Sequence, residues 1–231
     1  MAVVGLDGCR NGWVAVRISG RARAIRFLTP DGKASALDAL LTMRFKCAAI
    51  DMPIGLPERG YRDCDREARK LLGANASRVF LGARRGVLTA RSQAILNAAL
   101  KRAGEPGVSA QLYGLKAKLG EADAFVRANP DIDIREAHPE LVFQRLNKDK
   151  PVPRKRDRAG IDLRIALLKR DGFKDIEAWC GNRPRGSGAK PDDILDACAM
   201  AIAARDFSTR RVVPRGKVPR DATGLPMQIW Y

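Results

Sequence analysis

Three carboxylic acids in this sequence lie where short apolar segments end. Asp7 follows AVVGL, Asp51 follows KCAAI, and Glu136 ends the alternating segment DIDIRE. A glycine or proline comes within two residues after each aspartate, which is typical of a turn after a strand. Because the carboxyl ends of neighbouring parallel strands meet at one edge of a sheet, where open α/β sheets bind ligands, we expect these acids to lie near one another.

Two further acids begin a predicted helix with the sequence DDILDACAMAIAARD, at 192–206. Asp193 and Asp196 are three residues apart and therefore lie on the same helical face. Two like charges there repel each other unless a proton or a cation relieves them. A set of oxygen ligands suits Mg²⁺ or Mn²⁺, and because His138 is the sole histidine, a zinc site is not expected.

Each acid also has a structural alternative. Asp7 can form an Asx turn, and Asp51 can hold the turn of MPIGLP. Glu136 can pair with a nearby arginine, and Asp192 or Asp193 can cap the helix. Because the joint pattern would need several such coincidences, we favour a shared catalytic or metal-binding site.

The elements that would position these acids follow one another in a simple order. Short apolar or alternating segments separated by DG, NG and SG pairs predict three antiparallel strands, at 2–7, 13–18 and 22–29. Apolar residues at helical spacing then predict a helix at 34–45, and a short buried strand follows at 46–51.

Beyond residue 60 the pattern is mainly helical, with one more alternating strand at 131–136. Glycine, charge and proline signals for helix ends delimit the predicted helices, at 62–73, 89–104, 109–129, 139–146, 160–171 and 192–206. Residues 214–231 carry no helical signal, and we expect an irregular C-terminal strap there.

The composition is that of a globular and strongly basic chain. Of 231 residues, 45% are hydrophobic and 30% are charged, which suits one domain with a sizeable core. The 43 Lys and Arg residues against 26 Asp and Glu give a net charge of +17, which favours a polyanionic partner such as nucleic acid. A solvated, arginine-rich surface is the alternative. Five scattered cysteines without a C-x-x-C pair argue against a disulfide scaffold or a zinc finger.

The sequence has no run of 18 apolar residues and no basic segment ahead of its first apolar stretch. We therefore expect no membrane segment and no secretory leader, and a cytoplasmic location.

Several basic residues are candidates for contacts with backbone phosphates. The set consists of Arg62, Arg66, Arg69, Arg85, Lys155 and Arg164. A solvated helical face or loop is the alternative for each cluster. His138 follows Glu136 closely and is a candidate for proton transfer, with a structural role as its alternative.

Five short motifs together resemble one family. The motifs GLDGCRNGW, IDMPIGLP, CDREARKLLG, EAHPE and DDILDACA are similar, in this order, to the family called domain of unknown function 429, whose members are described as predicted ribonuclease H-like nucleases. The resemblance covers residues 3 to 205 approximately. It implies an α/β ribonuclease H-like fold with a mixed five-stranded sheet in the order 3-2-1-4-5, flanked by helices. It also implies a single domain at 1–213 with a helical insertion after strand 4, at about 58–108, followed by the strap at 214–231.

The resemblance further implies a carboxylate site for two Mg²⁺ or Mn²⁺ ions. Asp7 would contact both ions, and Asp51 would be the acid of the fourth strand. Glu136 comes from EAHPE, and Asp193 corresponds to the acid of the last helix, with Asp196 as a second ligand or support. The implied activity is metal-dependent hydrolysis of phosphodiester bonds in nucleic acid, either DNA or RNA.

The sequence departs from the family pattern outside these acids. Asn11 stands where glycine is common, and Ala110 and Ala117 replace a common lysine and proline. The segment VFLGARRGVL lacks a proline-rich run. The departures concern substrate contacts around 77–120 rather than the proposed ligands.

Two other functions remain open from the residues. A catalytically silent module that binds nucleic acid or serves as a scaffold would share the charge and the fold. The opening DGCRNG also resembles the D-G-x-x-x-G phosphate loop of actin-like ATPases and sugar kinases, although this chain is too short for the second domain copy that those proteins need. Metal binding would distinguish a nuclease from a silent module, and stabilisation by nucleotide would indicate an ATPase.

Overall fold

A five-stranded mixed sheet forms the centre of the computed structural model, which describes residues 1–231. Its strands are β1 (Val3–Cys9), β2 (Gly12–Ser19), β3 (Ala22–Leu28), β4 (Cys47–Ile50) and β5 (Ile134–Glu136). They lie in the order β3-β2-β1-β4-β5, as predicted. The first three strands pair antiparallel, and β4 pairs parallel with both β1 and β5.

Nine α-helices surround the sheet. They are α1 (Asp63–Leu72), α2 (Arg85–Thr89), α3 (Gln93–Arg102), α4 (Ala110–Gly114), α5 (Lys116–Ala128), α6 (Pro139–Leu146), α7 (Arg158–Arg170), α8 (Ile176–Gly181) and α9 (Pro191–Arg205). Three 3-10 helices lie at Ala36–Thr42, Gly73–Arg78 and Phe207–Thr209. None of the helices combines the length and the apolar character needed to cross a bilayer.

Two hydrophobic cores cover the two faces of the sheet. On one face, called the α9 face below, Val3, Val14 and Ala49 pack with residues of α6 to α9. On the other face, the insertion face, Leu6 and Ile50 pack with the first 3-10 helix and with α2 to α5. Because side chains alternate along a strand, this division decides which strand-end acids share a face.

Several elements differ from the sequence prediction. The helix predicted at 34–45 is the 3-10 helix Ala36–Thr42, and the helix predicted at 109–129 is interrupted after Gly114, a residue that weakens a helical interior. The short helices α2 and α8 have too few residues to show a periodic pattern.

The C-terminal segment contains regular structure where an irregular strap is predicted. Strand β6 (Val212–Val213) pairs with β7 (Ile229–Trp230). Trp230 also forms an isolated parallel bridge with Ala137, directly after β5. This bridge covers part of the outer edge of the sheet, where unpaired backbone groups would otherwise face solvent.

All five cysteines are free thiols. Cys180 is half-buried, and the others are buried: Cys9, Cys47, Cys64 and Cys198.

Candidate active site

The end of β1 carries Asp7 onto the α9 face. Asp7 alternates with Val3, Gly5 and Cys9, and the first and last of these belong to the core on that face. An ideal Cβ on Gly5 would lie 2.0 Å from the backbone nitrogen of Ala201, so only glycine allows α9 to pack this closely on β1. This close packing brings the acids of α9 towards Asp7.

Asp51 joins Asp7 by continuing the parallel pairing of β1 and β4. Its backbone N–H donates to the carbonyl of Leu6 at 2.9 Å. By strand alternation with Cys47 and Ala49, which both pack on the α9 face, Asp51 is directed to that same face. The two aspartates predicted to meet at the sheet edge are therefore brought together.

The first turns of α9 contribute Asp193 and Asp196. Asp193 is half-buried, and its Oδ2 accepts from the backbone N–H of Lys190 at 2.7 Å, so it also stabilises the helix start. Asp196 is buried, with 5% of its side chain exposed. Its Oδ2 accepts from Nζ of Lys155 at 3.0 Å, whereas its Oδ1 is buried without a hydrogen-bond partner.

The four aspartates form one electrostatic cluster. Burial raises the pKa of Asp7 well above its ordinary value, and the negative charges of Asp51, Asp196 and Asp193 raise it further. Burial and the charge of Asp196 likewise raise the pKa of Asp51. Burial raises the pKa of Asp196 to about 6, although Lys155 lowers it. The carboxylates of Asp7 and Asp51 accept no hydrogen bond from the chain, so the oxygens of both are free to bind a cation.

Glu136 ends β5 on the insertion face rather than the α9 face. It is the register partner of Ile50, which belongs to the core on that side. Nη1 and Nη2 of Arg62 donate to its two oxygens at 2.6 and 2.7 Å, and the N–H of Ile54 donates at 2.8 Å. Burial raises the pKa of Glu136 to about 7, against the attraction of Arg62. The predicted role of Glu136 as a ligand beside Asp7 thus gives way to a buried ion pair, because strand alternation directs it to the other face.

His138 caps a helix instead of facing the aspartates. It precedes α6, and its Nδ1 accepts from the N–H of Glu140 at 3.3 Å. Burial lowers the pKa of the imidazole, so the neutral ring is the favoured form. A structural role therefore describes His138 better than proton transfer does.

Two of the predicted phosphate contacts are buried structural arginines. Nη2 of Arg164 donates to both oxygens of Glu140 at 2.7 and 2.8 Å, and Nη1 donates to the carbonyls of Pro153 and Gly160. Arg62 is held by Glu136, as described above, and by an acid of its own helix. Neither guanidinium faces solvent, so the predicted phosphate contacts of both are wrong for this structure.

The remaining predicted basic residues are more accessible. Arg66 is exposed on α1, whereas Arg69 donates to a backbone carbonyl at 2.8 Å. Arg85 is paired with Asp123 at 2.6 Å and with Asp221 at 2.7 Å, which ties the C-terminal segment to α5. Of these three, only Arg66 makes no hydrogen bond to the chain through its guanidinium, which lies 5.5 Å from the centre of the Tyr61 ring.

Asn11 makes contacts that no sequence pattern indicates. Its Nδ2 donates to the carbonyl of Gly186 at 2.7 Å, and its backbone N–H donates to the carbonyl of Ser187 at 3.2 Å. These bonds attach the loop that precedes α9 to the turn between β1 and β2. The asparagine that departs from the family pattern therefore helps to hold the start of α9 near Asp7.

Asp65, which is not among the predicted site residues, is the second partner of Arg62. The signal that would have found it is the spacing of three residues on one helix, which allows an ion pair.

The donors of the cluster fit a divalent cation in their chemistry. Oxygen ligands are those that Mg²⁺ and Mn²⁺ prefer, and the partnerless Oδ1 of Asp196 and the free carboxylates of Asp7 and Asp51 are such ligands. In this arrangement, however, no three His, Cys, Asp or Glu side chains converge closely enough to form a metal-binding group. The residues that would hold an ion are Asp7, Asp51 and Asp196, with Asp193 beside them.

Comparisons with known proteins give one match. A family model described as Protein of unknown function (DUF429) matches residues 5–219. No curated protein and no solved structure matches the chain significantly.

Proposed function

The chain belongs to the DUF429 family, and we propose that it hydrolyses phosphodiester bonds of nucleic acid with the help of Mg²⁺ or Mn²⁺ held by the aspartate cluster. One observation carries this proposal: Asp7, Asp51 and Asp196 come from three different elements, and their charges interact on one face of the sheet. Asp7 and Asp51 accept no hydrogen bond from the chain, and Oδ1 of Asp196 is buried without a partner. The repulsion between these carboxylates is unfavourable for folding, and such destabilising arrangements are common at functional sites.

Divalent cations held in such a cluster would supply positive charge that lowers the pKa of an attacking water and stabilises the leaving oxygen of an in-line displacement. Asp7 and Asp51 provide the free carboxylates that would hold them. Asp196 provides a further oxygen from α9, and Asp193 both fixes the helix start and adds negative charge. Glu136 is paired with Arg62 on the insertion face.

The nucleic-acid substrate is supported by charge around the cluster. The net charge is +17, and Arg154 and Arg156 are exposed on either side of Lys155. Arg10 is exposed in the turn after β1. Contacts of this type bind backbone phosphates without reading bases.

A ribonuclease H-like assignment of the fold belongs to the same proposal. The sheet order agrees with the one that the family resemblance implies. The insertion at about 58–108 contributes Val87 and Leu96 to the core of the insertion face, which supports one domain rather than two. A cytoplasmic location suits five free cysteines, because reducing compartments keep thiols unpaired.

The proposal is tested by incubating the protein with labelled single-stranded and double-stranded DNA, RNA and hybrid duplexes in Mg²⁺, Mn²⁺ or chelator. We expect cleavage that needs a divalent cation and is lost in Asp7→Asn. Asp131→Asn, which changes an exposed acid away from the cluster, serves as the matched control and should cleave normally. Cleavage that survives both chelator and Asp7→Asn would exclude this site.

A second candidate is a catalytically silent module that binds nucleic acid. The pairing of Lys155 with Asp196 and of Arg62 with Glu136 favours it, because both acids are already partly neutralised within the chain. Tight binding of nucleic acid without cleavage in any cation would support the silent module.

A further inference from the structure

The ammonium of Lys155 lies among the acids at the start of α9. Its Nζ is 3.0 Å from Oδ2 of Asp196 and 3.4 Å from Oδ2 of Asp192. Burial raises the pKa of Asp7 and of Asp51, and the charge of Lys155 acts in the opposite direction on both. It also lowers the pKa of Asp193, which burial raises. A single lysine therefore supplies positive charge to five acids.

This lysine leaves much of the cluster unsatisfied. It bonds one oxygen of Asp196, and the other oxygen stays buried without a partner. It makes no hydrogen bond to Asp7 or Asp51. A lysine carries one charge and three N–H donors, so it does not balance five carboxylates. The cluster would accept a cation of higher charge in its place.

The backbone around Lys155 is fixed, whereas its side chain is accessible. Val152 is buried, and Nη1 of Arg164 donates to the carbonyl of Pro153 at 2.9 Å. An ideal Cβ on Gly160 would lie 2.0 Å from the carbonyl oxygen of Arg154, so α7 packs directly against this loop. The Lys155 side chain, in contrast, is 44% exposed. It can turn towards solvent by rotating its own bonds, without movement of the loop.

From this geometry we propose that Lys155 occupies the cation position of the aspartate cluster and competes with divalent cations for it. The inference rests on the metal site of the proposed function and adds how that site is controlled. When Mg²⁺ or Mn²⁺ binds Asp196, the ammonium moves outwards and needs another anion. A backbone phosphate of bound nucleic acid supplies that anion, so metal and substrate promote each other's binding through Lys155.

The experiment is calorimetric titration of the full-length chain with Mn²⁺. Lys155→Met removes the competing charge and should bind Mn²⁺ about tenfold more tightly than the wild type, within the range typical of coupled binding. Lys155→Arg keeps a competing cation and should stay close to wild type. Arg156→Met removes one positive charge from the neighbouring exposed residue, and it measures the effect of net charge alone. Lys155→Gln replaces the methionine variant if that variant does not fold.

Thermal melting provides a second readout without activity. Lys155→Met should melt at a lower temperature than Arg156→Met in chelator, because its acids lack their cation, and Mn²⁺ should remove this difference. Equal Mn²⁺ affinity in Lys155→Met and Arg156→Met would overturn the competition while leaving the metal site intact. Absence of Mn²⁺ binding in the wild type and in every variant would overturn the metal site and the competition together.

Discussion

Gly5 and the backbone nitrogen of Ala201 are in direct contact, because an ideal Cβ on Gly5 would approach that nitrogen to 2.0 Å. Gly5→Ala should therefore separate α9 from β1 and destabilise the fold by at least about 1–3 kcal/mol, as overpacking does. Denaturant unfolding measures the change. Gly8→Ala on the same strand is the control, since a Cβ there meets its nearest atom at 3.5 Å. Equal losses in the two variants would contradict the proposed role of the close contact.

Asp7→Asn should lower the cleavage activity and raise the thermal stability. Loss of a free carboxylate at the proposed metal site should lower cleavage more than about 100-fold, beyond the effect typical of residues that only support a ligand. The melting temperature in chelator should rise, because burial and three neighbouring acids raise the pKa of Asp7 and its charge is unfavourable. A lower melting temperature would show that Asp7 has a stabilising partner instead.

The metal-free protein should become less stable as pH rises from 4 to 7. Burial raises the pKa of Asp196 to about 6 from an ordinary 3.8. An acid with a raised pKa contributes stability that is fully present below its unfolded pKa and is lost as pH rises through its folded pKa. The free energy of unfolding should fall by about 2–3 kcal/mol more in the wild type than in Asp196→Asn, since one pKa unit corresponds to about 1.4 kcal/mol. Parallel curves from denaturant titrations would exclude Asp196 as the cause.

Arg62 should behave as a structural residue. It pairs with both Glu136 and Asp65 in the interior, and Arg62→Met would leave these acids buried without a cation, at a cost of about 3–5 kcal/mol. Arg66→Met changes an exposed arginine of the same helix and should shift stability by no more than about 0.5 kcal/mol. Chemical denaturation of the two variants distinguishes them. A mild effect of Arg62→Met, together with weaker nucleic-acid binding, would restore it as a phosphate contact.

Nucleic-acid binding should weaken steeply with salt. Basic side chains that neutralise phosphates release counterions, so the logarithm of the affinity falls linearly with the logarithm of the salt concentration. Arg154→Gln, an exposed residue beside Lys155, should reduce the slope by about one, whereas Arg164→Lys should not change it, because Arg164 is buried. Fluorescence anisotropy at several salt concentrations measures both slopes. A flat dependence would argue against electrostatic binding.

The placement of Asp7 and Asp51 on one face follows from local sequence, whereas the strand order is what the family resemblance implies. Apolar segments, turn pairs and a helical connection specify the first four strands, and the positions of both aspartates relative to the strand ends direct them to one face. The position of Asp196 follows from helical spacing together with the almost uncharged surface of α9.

The environment of Glu136, Arg62 and Arg164 could not be predicted in this way. Strand alternation directs Glu136 away from Asp7, but its face depends on the register with β4, which the sequence does not encode locally. A buried arginine and an exposed one look alike in a helical pattern, and burial depends on contacts with residues far along the chain. Glu140, which binds Arg164, is 24 residues away.

The thiols give the molecule a convenient point of attachment for a spectroscopic label. Cys9, Cys47, Cys64 and Cys198 are buried, so these thiols should react slowly with maleimides. Cys180 is half-buried, and its Sγ lies 3.8 Å from the carbonyl oxygen of Pro191, the first residue of α9. A fluorophore on Cys180 in the otherwise unaltered chain would thus sit at the start of the helix that carries Asp193 and Asp196, where its emission would follow ligand binding in real time.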